Sequence, residues 1–363
     1  MRTLLFTLEY PPFKGGVANY YGNLAKFWPI NENLLILDNN KGELIKANKF
    51  LAWWPAIFAL QRKLKSSRID YLLVGQILPL GTIACFWSFF RPLKYAVFLH
   101  GMDFSFALKT PWKRFLSYMI LQRADKIISA NSYVSDKVKD FWPDFDNKLT
   151  IINPGVESKA PIPDKETIKS LKSQYNLEGK FVIFSLGRLI GRKGFDRMIS
   201  AISELPEEVL VNLEYFIAGV GSKEAYLHQL VPLKYLKKIH FLGLISDVEK
   251  WSWFHLCDIF AMPARDIEGD YEGFGIVYLE ANLCGKPVIA GSSGGVKDAV
   301  INNITGLVVN ADNPNSLGEL KEAILKLISD KELRISLGAQ GQKRAQSEFI
   351  WETQAQKVLD SIL

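Results

Sequence analysis

The chain alternates short apolar runs of β type with longer helical stretches, and the alternation recurs through both halves. In the first half, RTLLFTL, YLLVG and KYAVFLHG are predicted strands, and segments with helical periodicity lie between them. Helices between apolar strands imply a parallel sheet that is covered on both faces. A second such series runs from FVIFSLGRL to GLVVN. We therefore predict two doubly wound α/β domains facing a cleft, because ligands bind beyond the carboxyl ends of parallel strands.

At 363 residues the chain is longer than one ordinary domain, and two domains are the natural expectation. The segment ESKAPIPDKET, residues 157–167, has two prolines, several charges and no apolar periodicity, which is typical of a linker. We therefore predict domains at residues 1–157 and 158–348. The last segment, SEFIWETQAQKVLDSIL, is predicted to be an amphipathic helix.

The net charge of +6 is concentrated in the first half, where residues 1–157 carry 20 Lys and Arg against 12 Asp and Glu. This basic excess would suit binding to nucleic acid, to an anionic membrane surface or to an anionic acceptor. A soluble surface that is simply rich in lysine explains it equally well. The three cysteines are far apart and fit no metal spacing, which indicates reduced thiols in a cytoplasmic protein. The opening MRTLLFTLEYPP is typical of a first strand and not of a signal peptide.

Residues 71–90 form an uncharged run of a length that could span a bilayer. Gly75, Pro79 and Gly81 divide this run into a short strand and a helix of about ten residues. We therefore predict a buried β–α pair at this position and no membrane span.

Two cations follow the first strand of the second half, in the stretch SLGRLIGRKGFDRM. Arg188 and Lys193 lie in a glycine-containing loop, where the backbone can approach a ligand closely. A planar guanidinium and a compact ammonium can together neutralise a diphosphate. A solvated basic turn would explain the two residue types alone, but the place at a strand's carboxyl end favours an anion site.

Two carboxylates lie eight positions apart in EGFGIVYLEA, residues 272–281. Glu272 precedes a glycine-rich turn, and Glu280 lies about one and a half turns inside the helix that the turn opens. Because a helix N-terminus attracts anions, a diphosphate there would place one carboxylate by a ribose and the other by a second sugar. The pattern suits a nucleotide sugar, although each Glu by itself is also consistent with an ordinary surface or helix-dipole position.

Three further stretches carry candidate residues: SSGGVKD at 292–298, EYPPFKGGVANY with Gly15 and Gly16, and HGMD with His100 and Asp103. His100 is a candidate general base, a candidate donor to a sugar or a structural histidine. The sequence has no P-loop, nucleophile elbow or clustered metal ligands. A glycosidase pair of carboxylates is an alternative, but it leaves the two cations and the glycine-led helix starts unexplained.

Taken together, KGGVANY, HGMD, GRLIGRKG, EGFGIVYLEA and SSGGVKD resemble the retaining group one glycosyltransferases with the GT-B fold, in the order and spacing of that family. The resemblance extends over essentially the whole chain. Two stretches, EYPPFKGG and GIVYLEANLCGKPVIAGSSGG, look most like one branch of this family. That branch contains GDP-mannose-dependent mannosyltransferases, including enzymes that mannosylate phosphatidylinositol. Asp298 departs from the pattern, because the family often has Glu there.

The resemblance implies roles for particular residues. Arg188 and Lys193 should hold the donor diphosphate, Glu272 the transferred sugar and Glu280 the ribose. The remaining implied contacts are Gly15 and Gly16 near the phosphates and acceptor, His100 at the reacting side of the sugar, Asp103 on the acceptor side, Ile245 near the base, and the backbone of Phe274, Gly275 and Ile276 at the donor. The helix at 349–363 should pack back on the first domain.

The implied activity is transfer of a hexose, of mannose or glucose type, from a nucleotide sugar to a glycan or lipid-linked acceptor. The anomeric configuration is retained, and no metal or other cofactor is needed. A GT-B-type sugar-nucleotide epimerase and a silent nucleotide-sugar-binding subunit stay open as alternatives. The base, sugar and acceptor are not fixed by the sequence.

The stretch WWPAIFALQRKLKSSR combines Trp53 and Trp54 with four Lys and Arg, and it is predicted to be helical. Such a helix suits an anionic membrane surface, and a core-facing helix with a solvated basic face is an equal alternative. We expect no nucleic-acid partner. The predicted location is cytoplasmic, with peripheral association at the inner membrane face as a further hypothesis.

Overall fold

The computed structural model describes residues 1–13, 15–45, 52–311, 313 and 316–363. They form two compact units, Met1–Gly155 with Phe349–Leu363, and Val156–Glu348. Each unit is built from a parallel sheet and helices, which confirms the predicted α/β class. Lys14, part of the first glycine motif, lies outside the described residues.

The first unit contains, in chain order, β1 (Arg2–Phe6), α1 (Gly16–Lys26), β2 (Asn33–Leu37), α2 (Trp54–Ser66), β3 (Tyr71–Val74), α3 (Thr82–Phe90), β4 (Lys94–Leu99), α4 (Met102–Ala107), α5 (Pro111–Arg123), β5 (Lys126–Ser129), α6 (Ser132–Phe141) and β6 (Leu149–Ile151). In the described part of this unit, the parallel strands have the order β2-β1-β3-β4-β5-β6. Strand β2 is added on one side of β1 and the later strands on the other side, which makes the β1–β3 pair the topological switch point.

Strands β3 and β4 are nearly continuous apolar runs, because both faces of the sheet are covered. One face packs a core that includes residues of α2, α3, α5 and α6. The opposite face packs a second core with α1 and the C-terminal segment. Both faces of this sheet are therefore covered by the chain's own side chains.

The uncharged run at 71–90 divides as predicted, into β3, an irregular turn at Ile77–Gly81 and α3. The prediction that this pair is buried is wrong for its last turns, because Phe86, Phe89 and Phe90 are exposed. These rings lie on the outer side of α3, while Ile83 and Ala84 occupy the inner side. Within the described ranges, no helix has both the length and the apolar character that crossing a membrane requires.

The second unit contains α7 (Lys165–Gln174), β7 (Phe181–Leu186), α8 (Phe195–Ser203), α9 (Glu207–Leu210), β8 (Leu213–Ala218), α10 (Glu224–Leu230), β9 (Ile239–Gly243), α11 (Asp247–Leu256), β10 (Ile259–Met262), α12 (Ile276–Leu283), β11 (Val288–Gly291), α13 (Val296–Ala299), β12 (Gly306–Val309), α14 (Ser316–Ser329) and α15 (Lys331–Glu348). Its parallel strands have the order β12-β11-β10-β7-β8-β9. The switch point lies between β7 and β10, where Ile183 pairs with Ile259.

The segment predicted to be a linker is irregular only up to Asp164. Helix α7 begins at Lys165, directly after Asp164. The Asp164 carboxylate accepts a hydrogen bond of 2.7 Å from the backbone N–H of Thr167 in the first turn of this helix. An Asp before a helical run is a strong N-cap, so the last part of ESKAPIPDKET is helical.

The last helix, α16 (Trp351–Ile362), belongs to the first unit. Its buried side chains are spaced by three or four positions along one face, at Trp351, Ala355, Val358, Leu359 and Ile362. They join the core that also contains Tyr20 and Tyr21 of α1. Gly155 lies against the Trp351 ring, where a Cβ would come within 2.6 Å of it.

We expect Trp351→Ala to lower the free energy of unfolding by about 3–5 kcal/mol, since it removes a buried indole and leaves a cavity. Denaturant titration followed by circular dichroism measures this change. Lys357→Ala is the control, because Lys357 lies on the exposed side of the same helix and its loss should change stability by less than about 0.5 kcal/mol. Equal effects of the two substitutions would contradict the packing of α16.

Candidate active site

The loops after β7 and β10 lie at the switch point of the second unit, and both carry predicted site residues. Arg188 and Lys193 follow β7, and Glu272 lies between β10 and α12. Since neighbouring parallel strands end at the same edge, their loops can bring these side chains together.

The Glu272 carboxylate is the centre of a buried charge cluster. Its Oε2 atom is 2.6 Å from Lys193 Nζ and accepts a 2.7 Å hydrogen bond from Arg192 Nη1. Only 7% of Glu272 is exposed, and the two cations are nearly as buried. Arg192 Nε also lies 3.0 Å from Asp270 Oδ1. Glu272 and Lys193 thus meet as an ion pair.

Sequence reasoning missed Arg192, and it assigned Arg188 and Lys193 to the donor diphosphate without identifying a partner for Glu272. A short 3₁₀ turn at Gly191–Lys193 directs both Arg192 and Lys193 at the carboxylate. The Arg188 side chain is exposed and forms no hydrogen bond or ion pair with the described residues. The adjacent cations in GRKG were the available signal, since a buried carboxylate needs compensating charge.

The ionisation of Glu272 is fixed by this cluster. Burial alone would raise the pKa of the carboxyl, but the nearby Lys193 and Arg192 charges and hydrogen bonds outweigh burial and lower the pKa below 4.5. The group is therefore a carboxylate at neutral pH.

The glycine turns around Glu272 fix its backbone. The Glu272 N–H donates to Ser293 Oγ at 3.1 Å, and the Glu272 carbonyl accepts from Gly295 N at 3.0 Å. Gly294 has a φ of 52°, and a Cβ there would collide with the Glu272 carbonyl. The SSGGVKD stretch is therefore packed directly on the EGFG turn.

Helix α12 begins directly after Gly275, whose φ of 80° is left-handed. A Cβ at this glycine would collide with the Tyr278 ring, so glycine is required on two grounds. Phe274 is buried and Ile276 is half-buried. Residues 274–276 form the start of the helix, where backbone N–H groups have no intrahelical acceptors and favour anions.

The second carboxylate of the motif has a different environment. Glu280 Oε1 accepts a 2.9 Å hydrogen bond from Lys250 Nζ of α11, a residue that sequence reasoning did not identify. Burial raises the pKa of Glu280, and Lys250 only partly opposes that increase. Ile245 is half-buried and lies just before Ser246, the residue that caps α11.

In the first unit, His100 lies at the carboxyl end of β4 and contacts Tyr21 of α1. Tyr21 donates its only hydroxyl proton to the Gly75 carbonyl at 2.7 Å, so His100 Nε2 must donate to the Tyr21 oxygen, also at 2.7 Å. Burial lowers the pKa of His100 to about 4, which keeps the ring neutral. The lone pair therefore resides on Nδ1.

Asp103 closes the turn after β4. Its Oδ1 accepts from the backbone N–H groups of His100 and Gly101, at 3.0 and 2.8 Å. Burial raises the pKa of Asp103 to about 6, although these hydrogen bonds act in the opposite direction. In the glycine motif of the first unit, Gly15 precedes α1, and a Cβ at Gly16 would meet no described atom within 4 Å.

No group of three or more His, Cys, Asp or Glu in the described ranges could hold a metal ion.

We expect Glu272→Gln to destabilise the fold at neutral pH by about 3 kcal/mol or more, because the buried Lys193 loses its charged partner and Arg192 keeps only Asp270. The pH dependence should also change. The folded-state pKa of Glu272 is below its ordinary value of 4.5, so the carboxylate stabilises the parent above that pH and loses this contribution as the pH falls through the folded pKa.

Denaturant titrations from pH about 7 to about 3 measure both effects, and the variant's stability should fall less steeply below pH 4.5 than the parent's. Glu322→Gln is the control, because Glu322 is exposed and forms no ion pair with the described residues. A variant that keeps the full acid sensitivity of the parent would show that the cluster does not hold the charge of Glu272.

Comparison with known proteins extends these observations. Residues 167–344 match the model of the family described as glycosyl transferases group 1. A GDP-mannose-dependent alpha-(1-6)-phosphatidylinositol monomannoside mannosyltransferase of Mycobacterium tuberculosis is 27% identical, over 99% of this chain and 97% of the relative. A GDP-mannose-dependent monoacylated alpha-(1-6)-phosphatidylinositol monomannoside mannosyltransferase of Corynebacterium glutamicum is 28% identical, over 98% and 96%.

Solved structures show the same fold. Anabaena HepE in complex with UDP has a TM-score of 0.80 at 19% identity, over 100% of this chain and 99% of that chain. A glycosyltransferase from Rickettsia africae has a TM-score of 0.81 at 18% identity, over 99% and 97%. The fold is therefore the predicted GT-B type. The segment 167–344, which contains the charged clusters of the second unit, belongs to the group 1 glycosyl transferases.

Proposed function

We propose that this chain transfers a hexose from a nucleoside diphosphate sugar to a glycan or lipid-linked acceptor, with retention of the anomeric configuration. The observation that carries the proposal is the buried cluster of Glu272, Arg192 and Lys193 at the switch point of the second unit. The three side chains lie where open α/β sheets bind ligands.

The diphosphate is the part of the donor that the cations would bind. The guanidinium of Arg188 has no hydrogen-bond partner among the described residues, and its planar N–H groups can bind two phosphate oxygens at once. The Lys193 ammonium has three N–H donors, and Glu272 takes one of them. The backbone at Gly275 and Ile276 adds the start of α12. These groups would stabilise the leaving diphosphate without a metal ion.

The two carboxylates would bind the sugars through their unoccupied oxygens. Both cations contact Oε2 of Glu272, and no described residue donates a hydrogen bond to Oε1, which is left to accept from hydroxyls of the transferred sugar. Lys250 contacts only Oε1 of Glu280, which leaves Oε2 for the ribose hydroxyls. Ile245 would meet the base through its backbone.

In the reaction, the bond between the anomeric carbon and the diphosphate oxygen breaks, and a bond to the acceptor oxygen forms on the same face. The acceptor proton passes to the leaving phosphate, as the resemblance implies. Gly15, Gly16 and Asp103 keep the roles expected from the sequence. His100 can face the sugar only as a neutral ring, since Nε2 donates to Tyr21.

The names of the relatives narrow the proposal. Both relatives named above are GDP-mannose-dependent and act on phosphatidylinositol mannosides, which favours GDP-mannose as donor and a lipid-linked acceptor. Such an acceptor implies peripheral association with an anionic membrane surface at the cytoplasmic face. HepE contains UDP, so the base needs a direct test.

A panel of GDP- and UDP-sugars in a thermal-shift screen, followed by product analysis with a lipid-linked acceptor, tests the function. Transfer with retained configuration supports the proposal. Isomerisation of the donor without an acceptor would indicate the epimerase, and tight binding without turnover in the presence of acceptors would indicate a silent subunit.

We expect Arg188→Ala to lower turnover about 10²–10³-fold, because one charged donor to the leaving diphosphate is lost. The melting temperature should not change, since the exposed guanidinium has no described hydrogen-bond partner. Initial rates with saturating donor measure the effect. Lys237→Ala, at another exposed cation of the second unit, should keep the parent's rate. An unchanged rate in Arg188→Ala would remove Arg188 from the donor site.

We expect Glu280→Gln to weaken the preference for GDP over 2′,3′-dideoxy-GDP. The parent should bind GDP about tenfold or more tightly than the dideoxy analogue, because ribose hydroxyls donate to a charged carboxylate. Calorimetric titration of both nucleotides measures the ratio, with Glu322→Gln as control. If the parent does not discriminate between the two nucleotides, Glu280 does not bind the ribose.

A further inference from the structure

The first unit exposes a group of large aromatic side chains that the proposed chemistry does not use. Phe86, Phe89 and Phe90 lie on α3, and Trp112 and Phe115 lie on α5. We call these five residues the aromatic face. Phe90 and Trp112 are 67% and 68% exposed, and the other three are between 45% and 57% exposed. Exposed apolar clusters of this kind mark interaction surfaces.

Helix α3 packs against the C-terminal part of α5. Arg123, near the end of α5, donates to the Ser88 hydroxyl and to the Ser88 carbonyl, each at 2.8 Å. Its guanidinium lies 4.0 Å from the centre of the Phe89 ring. Trp112, Phe115 and the half-buried Met119 repeat at three- and four-residue spacing, so they follow one side of α5 toward Arg123.

The sequence segment that carries the aromatic face is predominantly basic. Between Tyr71 and Ala124 the sequence has six Lys and Arg and a single acid, Asp103. The Asp103 carboxylate accepts hydrogen bonds from the turn after β4. A second cation also lies on an exposed ring, since Lys113 Nζ is 3.3 Å from the centre of the ring of Phe106, an exposed residue of α4 outside the aromatic face. The face therefore complements a negatively charged partner.

The second unit provides an internal comparison. In the described residues, large exposed aromatic side chains number ten in the first unit and one, Tyr226, in the second. The exposed apolar residues of the second unit are otherwise aliphatic, such as Ile301, Ile304 and Ile335. Exposed aromatic rings are thus a property of one unit and not of the whole chain.

We propose that the aromatic face docks on an anionic lipid bilayer, with the rings in the interface and the neighbouring cations against the lipid headgroups. Aromatic rings with Lys and Arg beside them are the combination that peripheral membrane helices present. The core of a protein interface is depleted of lysine, whereas here Lys113 directly follows Trp112 in α5. Helix α2, the membrane candidate from sequence, exposes two rings, Trp54 and Phe58, because Trp53 packs against the core.

This inference deepens the proposed function, because it names the surface that would bring the chain to a lipid-linked acceptor. Its support lies in the first unit alone, whereas the donor site lies in the second. Vesicle binding and nucleotide binding therefore test the two separately.

The test compares the full chain with the triple variant Phe89→Ser, Trp112→Ser, Phe115→Ser. The matched control is Ile301→Ser, Ile304→Ser, Ile335→Ser, which removes three exposed apolar side chains from the second unit. Co-sedimentation uses vesicles of phosphatidylcholine alone and vesicles with about 30% phosphatidylglycerol. Thermal shift with GDP and UDP reports the donor site of each protein, and light scattering reports its oligomeric state.

We expect the parent and the control to bind the anionic vesicles and to bind neutral vesicles more weakly. The triple variant should bind the anionic vesicles about tenfold or more weakly, with an unchanged nucleotide response. Three outcomes would overturn the inference: parent-like vesicle binding by the triple variant, no vesicle binding by the parent, or a parent dimer that the triple variant loses, which would assign the face to a second copy. Vesicle binding without any nucleotide response would instead reject the proposed function and leave the docking face in place.

Discussion

The ion pairs of Glu272 with Arg192 and Lys193 are the constraint on which the candidate site depends. Burying one carboxylate and two cations is tolerable only when each charge is compensated. The glycines around the cluster follow from this requirement, because Gly275 and Gly294 let the chain turn tightly enough to hold the carboxylate against the cations. A side chain at either glycine would collide with the Tyr278 ring or with the Glu272 carbonyl.

The spacing of eight residues between Glu272 and Glu280 places two carboxyls of different character on one turn and helix. Two cations hold the pKa of Glu272 low, while burial raises the pKa of Glu280 against a single lysine. The same motif therefore presents one firmly charged group and one that is more easily neutralised. In the proposed function, the firmly charged Glu272 would lie near the reacting sugar and Glu280 would lie at the ribose.

The alternation of strands and helices was predictable, because periodicity is local and each buried strand is nearly all apolar. The start of α12 was also predictable, since Gly275 and the apolar run after it are local signals. The partners of the carboxylates were not, because Arg192 and Lys250 meet Glu272 and Glu280 through the tertiary fold, from positions 80 and 30 residues away. The His100 tautomer likewise depends on Tyr21 and Gly75, which no local pattern connects to it.

The exposed rings of α3 show a different limit of sequence reasoning. An uncharged, aromatic run is normally buried, and Ile83 and Ala84 of this helix do enter the core. The sheet of the first unit is already covered on both faces, so its own interior offers no further surface to Phe89 and Phe90. Full burial of such a side chain would stabilise the protein by roughly 1.5–3 kcal/mol, and this stabilisation is absent while the ring is exposed to water. The aromatic face is therefore better explained by a surface outside the chain than by the packing within it.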